Sequence, residues 1–154
     1  CIVHNFFGID HVAHTARILG SGTAKFLATC LETISLAAAR VLGHFQEMAN
    51  RTVYILSFEM SFNEVLNAHK KATGVSDWAA EMVDSKQEIK DGGEKPRLGN
   101  LKGMEKVART VLVQKGSEQD LVVERLLGNE LLSLTRGNVD KTVERVLKGS
   151  VDLC

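Results

Sequence analysis

The stretch TVYILSFEMSFNEVLNAHKKATG, residues 52–74, sets an apolar run directly before a helix whose two ends are both marked. TVYILSF (52–58) is β-branched and aromatic, with apolar residues on both alternating faces. It reads as a strand buried on both sides, as in a parallel sheet covered by helices. Ser61 and Glu64 then stand at the spacing of a capping box, in which a hydroxyl and a carboxylate satisfy the backbone N–H groups that helix geometry leaves unpaired. Phe62, Val65, Leu66 and Ala72 supply an apolar stripe. Lys70 and Lys71 suit the negative end of the helix dipole, and Gly74 closes the helix. A strand feeding straight into a helix is an α/β unit.

The flanking segments extend this pattern. ARIL (16–19) and KFLAT (25–29) read as two short extended runs joined by GSG into a hairpin, because glycine supplies the positive φ of tight connections. Ile34, Ala37, Ala38, Val41 and Leu42 recur at helical spacing, with Thr33 or Ser35 as the cap and Gly43 at the end. DWAAEMV (77–83) is a second strand, and Ser85 with Glu88 offers a second capping box. DGGEKPRLGN (91–100), which holds the only proline, is a surface connection. In the last third, Leu101, Met104, Ala108, Val111 and Leu112 line one helical face and DLVVERLLGNELLSL (120–134) another. Asn138 caps a final helix with Val139, Val143, Val146 and Leu147 on its apolar side. No internal repeat is visible.

Composition narrows the class. A chain of 154 residues, 44% hydrophobic, is long enough for one domain with its own core. Nineteen basic residues balance nineteen acidic ones, so no positive field is available for nucleic acid or an anionic membrane. The longest apolar stretch, ISLAAARVLG (34–43), is broken by Arg40 and is about half of what a bilayer crossing needs. Three scattered cysteines, Cys1, Cys30 and Cys154, do not make a disulfide framework, which fits a reducing, cytoplasmic setting. The chain opens on Cys1 rather than Met and reads as the middle of a longer protein.

Four local patterns invite chemistry, and each has a plainer reading. Gly20 and Gly22 begin G-x-G, but Lys25 stands in place of the third glycine and a strand, not a helix start, follows. Hairpin turn is the better reading. His4, His11 and His14 lack a further ligand at metal-site spacing. Cys30 is a small buried residue unless a base is positioned beside it. Asn50-Arg51-Thr52 is a glycosylation sequon at the entrance to the strongest strand of a chain with no secretory signal, and is read as chance.

In order along the chain, HNFFGID (4–10), ARILGSGTAKFLAT (16–29), LETISLAAARVL (31–42), NRTVYILSFEMSFNEVLNAHKKATG (50–74) and LGNELLSL (127–134) resemble the C-terminal portion of NmrA-like, isoflavone-reductase-like proteins. That is an atypical branch of the short-chain dehydrogenases, and the likeness is to fungal members. Thr33-Ile34-Ser35 stands where the family usually has Asp-Ile-Gly.

The resemblance implies an α/β fold, the C-terminal part of a doubly wound Rossmann-like domain with a small hairpin, two or three strands and about five helices. Residues 1–154 are then a single substrate-side domain, and the N-terminal half with its glycine-rich NADP loop and catalytic lysine lies outside them. The resemblance further implies a part of an NADP-dependent reductase, inactive alone and without affinity for NADP by itself. Its partners are a small-molecule substrate and the Rossmann half, with self-association through the TVYILSF edge when that half is missing. His4, Asn5, Phe6 and Phe7 are the implied substrate-side residues, leaving a strand at the mouth of the pocket with a ring free to stack on a flat ligand. The alternative is a non-catalytic dinucleotide-sensing regulator or an independent protein-binding module.

Overall fold

The computed structural model describes residues 6–93, 101–113 and 128–149. His4, Asn5, residues 94–100 of the proline-bearing connection and most of DLVVERLLGNELLSL lie outside them. The described residues form a mixed α/β structure with two small open sheets, as a partial Rossmann-like fold requires. In chain order these are β1 (Ile9–Asp10), β2 (Thr15–Leu19), β3 (Lys25–Ala28), α1 (Leu31–Gly43), α2 (Phe45–Met48), β4 (Phe58–Ser61), α3 (Phe62–Thr73), β5 (Ala79–Val83), α4 (Ser85–Gly93), α5 (Leu101–Val111) and α6 (Val139–Leu147).

The first sheet has the order β1-β2-β5, with β1 antiparallel and β5 parallel to β2. The second pairs β3 and β4 antiparallel, Phe26 opposite Met60 and Ala28 opposite Phe58. The small hairpin therefore sits one element earlier than expected, between β1 and β2 rather than between β2 and β3. The glycine turn does form, with Gly20 and Gly22 at φ 57° and 72°. It moves the chain from one sheet to the other. Gly22 accepts the amide of Asn63 at the start of α3, and the Asn63 side chain donates to Ser21 O. A Cβ on Gly22 would collide with Asn63 Oδ1, so the glycine is required both by φ and by the closeness of α3.

The strand expected over 52–58 begins six residues later, at Phe58. Residues 52–57 carry a single bridge, at Tyr54, and their backbone finds partners by other means. Ser57 donates its N–H to Ala28 O and accepts the N–H of Gly137 at its carbonyl, while Leu56 is bonded by the side chain of Asn129. Buried backbone needs partners, but they need not belong to a ladder. The expected open edge at TVYILSF is thus occupied.

Helix α3 starts as expected: Ser61 Oγ accepts the N–H of Glu64, and Glu64 Oε2 accepts the N–H of Ser61 at 2.7 Å. Gly74 ends it in the left-handed conformation at φ 70°. The apolar stripe packs Phe62 and Val65, both at 0% exposure, against β3, β4 and Val143 of α6. Asn138 caps α6 through its Oδ1 and the N–H of Lys141. At α4, however, Asp84 is the cap, accepting from Lys86 and Gln87, and Glu88 is turned inward.

Two helices face differently from their sequence pattern. On α1 only Ala37 is buried, whereas Ile34 is 44% and Leu42 78% exposed. On α5 Met104 and Val111 are exposed, and Gly103, Arg109 and Thr110 are buried instead.

Candidate functional site

Phe6 and Phe7 are the substrate-side expectations that fall within the described residues. Phe7 is buried in the core, its ring 5.3 Å from that of Phe26 and 6.4 Å from that of Phe62. Phe6 is half-buried and meets Phe7 edge-on at 5.5 Å. Phe7 is therefore a packing residue, and Phe6 is the ring with a free side. Neither lines either of the two clefts described below.

The better-formed concavity lies between the start of α1 and the start of α6 and encloses about 280 Å³. Its lining is apolar at Leu36, Phe58 and Leu134 and polar at Thr33, Asn138, Lys141, Thr142 and Arg145. Local structure explains the meeting of these side chains. Positions 138, 141, 142 and 145 share one face of α6, while Val139, Val143 and Val146 on the other side pack α6 onto the core. Gly137 is packed against the ring of Phe58, where a Cβ would collide with it, and donates its N–H to Ser57 O. This docks the start of α6 beside β4.

Ser57 closes the back of the cleft. It is 2% exposed, and its hydroxyl accepts the N–H of Cys30 at 3.0 Å and donates to Thr33 Oγ1 at 2.8 Å. Cys30 is disulfide-bonded rather than a thiol, so it is not a nucleophile. The single carboxylate in the lining, Glu32, is held by Arg145 Nη2 at 3.2 Å. The titratable side chains of the lining are Glu32, Lys141 and Arg145.

A larger and more open concavity of about 610 Å³ lies between α2 and residues 128–131, with Arg51 among Glu47 and Glu130. Two histidines pack elsewhere, on Trp78: the ring of His14, in the β1–β2 connection, lies 5.2 Å from it, and that of His69, on α3, lies 6.1 Å from it. Burial pushes the His69 imidazole below its ordinary pKa, opposed by its bond to Val65 O and assisted by His11. No group of three His, Cys, Asp or Glu side chains able to hold a metal occurs among the described residues.

Comparison with known proteins gives this geometry a setting. The chain is 31% identical over 147 residues to oxidoreductase aprR of Aspergillus flavus, which covers 96% of the chain and 49% of that protein. It is 29% identical over 143 residues to oxidoreductase poxI of Penicillium oxalicum, covering 92% of the chain and 45% of poxI. These relatives are named oxidoreductases. The chain spans about half the length of each. No protein-family model and no solved structure matches it significantly. Among the described residues no helix is long and apolar enough to cross a membrane.

Apart from Asn138, expected as a helix cap, the polar lining of the cleft was not among the sequence expectations. Its signal is present in the sequence, since Asn138, Lys141, Thr142 and Arg145 recur at 0, 3, 4 and 7, opposite the apolar positions of that helix.

Proposed function

We infer that this chain is the substrate-side part of a reductase, of the NADP-dependent NmrA-like, isoflavone-reductase-like type, and that a separate dinucleotide-binding half completes it. The observation that carries this reading is the match over almost the whole chain to proteins named oxidoreductases that are twice as long. The surface supports it. Leu31, Ile34, Leu42 and Phe45 leave an apolar stripe on α1 and α2 facing solvent, and among the described residues β5 pairs with β2 alone, with Met82 72% exposed. Such a stripe and such an edge need covering in a finished domain.

On this reading NADP is held by the other half, and His4, Asn5 and Phe6 are substrate-side residues. The test supplies, in trans, the part of oxidoreductase aprR that lies outside the matched segment. The mixture should co-sediment and bind NADPH, as followed by nucleotide fluorescence, while the chain alone binds none. Saturable NADPH binding by the chain alone, or a compact monomer with no affinity for the added half, overturns the proposal and favours an independent binding module.

A further inference from the structure

Two buried imidazole nitrogens stand without partners where the β1–β2 connection meets α3. His69 is 1% exposed, and its Nδ1 lies 2.8 Å from Val65 O. A carbonyl can only accept, so Nδ1 carries the proton and Nε2 of the neutral ring is a bare lone pair. That Nε2 is buried and has no partner among the described residues, and the same holds for Nδ1 of His11. The connection that carries His11 is docked by a strained residue. His14 is at φ 52°, in the left-handed region that a histidine enters only at a cost. Its carbonyl accepts the N–H of Ala79 at 3.0 Å, at the start of β5, and its ring meets that of Trp78. Trp78, the only tryptophan of the chain, is fixed by its Nε1–H on Val75 O and also meets the ring of His69. Within the connection, Asp10 Oδ1 accepts the N–H groups of Val12 and Ala13, so the turn is kept by its own bonds.

A second proton on His69 sets an N–H at Nε2 in a buried place where no described group accepts it. Of the charged groups on the elements packed against α3, Asp140 of α6 is paired with Lys71, Glu59 of β4 with Arg136, and Arg17 of β2 with Glu81 and Glu88. Asp77, beside Trp78, is exposed. His11 is the titratable group whose charge reaches His69, and it opposes the proton. Asp10 is the carboxylate that feels the charges of His11 and His14.

We propose that the β1–β2 connection is an acid-released latch: a proton taken up at Nε2 of His69 undocks residues 11–14 from Trp78 and α3, water reaches the imidazolium, and the strain at His14 is relieved. The latch is closed while His69 is neutral. Burial holds the closed-state pKa of His69 below the ordinary 6.5, whereas the undocked ring regains its ordinary value, so acidification favours the open form. The β1–β2 ladder itself, with Ile9 opposite Ala16 and Asp10 opposite Thr15, lies outside the moving residues, which makes the opening local. A buried histidine biasing a two-state contact is a general form of pH switch. The proposal stands on this chain's own residues and is independent of the reductase reading.

The experiment is hydrogen exchange of the 154-residue chain at a series of pH values, followed by amide NMR, with each rate referred to that of an unstructured chain at the same pH. Below the ordinary 6.5, protection of the Ala79 amide should fall about tenfold per pH unit until the closed-state pKa is reached. Amides of the β3–β4 ladder should keep their protection. His69→Gln should remove the dependence, and His11→Gln, which takes away the opposing charge, should confine it to a narrower range of pH. Protection of Ala79 that does not change with pH, or that changes as much in His69→Gln, overturns the proposal, as does a loss shared equally by the β3–β4 ladder. Should His69→Gln fail to fold, the ring protons of His69 in the native chain decide: titration at the ordinary value with Ala79 protected throughout also overturns it.

Discussion

Asn129 holds Leu56 with both ends of its side-chain amide: Oδ1 accepts the Leu56 N–H at 2.9 Å and Nδ2 donates to the Leu56 carbonyl at 2.8 Å. Both residues are buried, and 73 positions separate them. The amide thus stands in for a neighbouring strand in the middle of the apolar run. Asn129→Leu removes both bonds and leaves a buried donor and acceptor, at a cost of about 2–4 kcal/mol. Asn129→Asp should be at least as damaging at neutral pH, because it sets a carboxylate oxygen against the Leu56 carbonyl. Urea unfolding measures both, and a loss under about 1 kcal/mol in Asn129→Leu would show that the clamp is dispensable.

Glu88 provides a second test. Its carboxylate, fully buried, accepts from Arg17 at 2.8 Å and from Arg109 at 3.1 Å, joining β2, α4 and α5. Gly8, at φ +72°, leaves the room in which the Arg109 guanidinium lies. Burial pushes the Arg109 pKa down, and Glu88 beside it pulls the other way. Glu88→Ala should cost about 3–5 kcal/mol, since a buried cation loses its partner. The pair Glu88→Leu with Arg109→Met should recover most of that loss. Equal destabilisation by the single and the double variant would mean that packing volume, not charge, is at stake.

The pH dependence should show His69. Its folded-state pKa lies below the ordinary 6.5, so the unfolded chain binds the proton first as the pH falls. The contribution of His69 is therefore fully present above 6.5 and is lost progressively below it. Carboxylates with lowered pKa values, such as Glu64, where the Lys25 ammonium is the main cause, act only below about their ordinary 4.5. Thermal unfolding between these two ranges should lose stability in the native chain, and His69→Gln should flatten that slope. An unchanged slope would assign it to another group.

The glycine turn yields a contrast between neighbours. Gly20 has open space around a would-be Cβ, so Gly20→Ala should cost about 1 kcal/mol, the strain of a left-handed backbone alone. Gly22→Ala adds collision with Asn63 and an approach of 2.5 Å to Ile18 Cγ2, and should cost about 2–4 kcal/mol. Chemical unfolding of the two variants compares them directly. Equal effects would show that α3 gives way at Asn63.

The sequence by itself determined what depends on near neighbours. Ser61 with Glu64, Gly74, the cap at Asn138 and the positive φ of the GSG turn are interactions within a few residues, so their chemistry is written where they act. The α/β alternation and the strand before α4 follow from the same local periodicities. Tertiary structure decided what depends on residues brought from far away. Whether TVYILSF pairs as a strand turned on Asn129, which no periodicity connects to Leu56. Glu88 reads as a capping residue until Arg17 and Arg109 are seen on either side of it, 71 and 21 positions distant. The stripe on α1 announces a buried face but cannot say what covers it, and in this chain most of that face meets solvent. Amphipathic spacing records that a helix has an apolar side, whereas burial is a property of the partner surface, and that surface is encoded elsewhere in the chain or outside it.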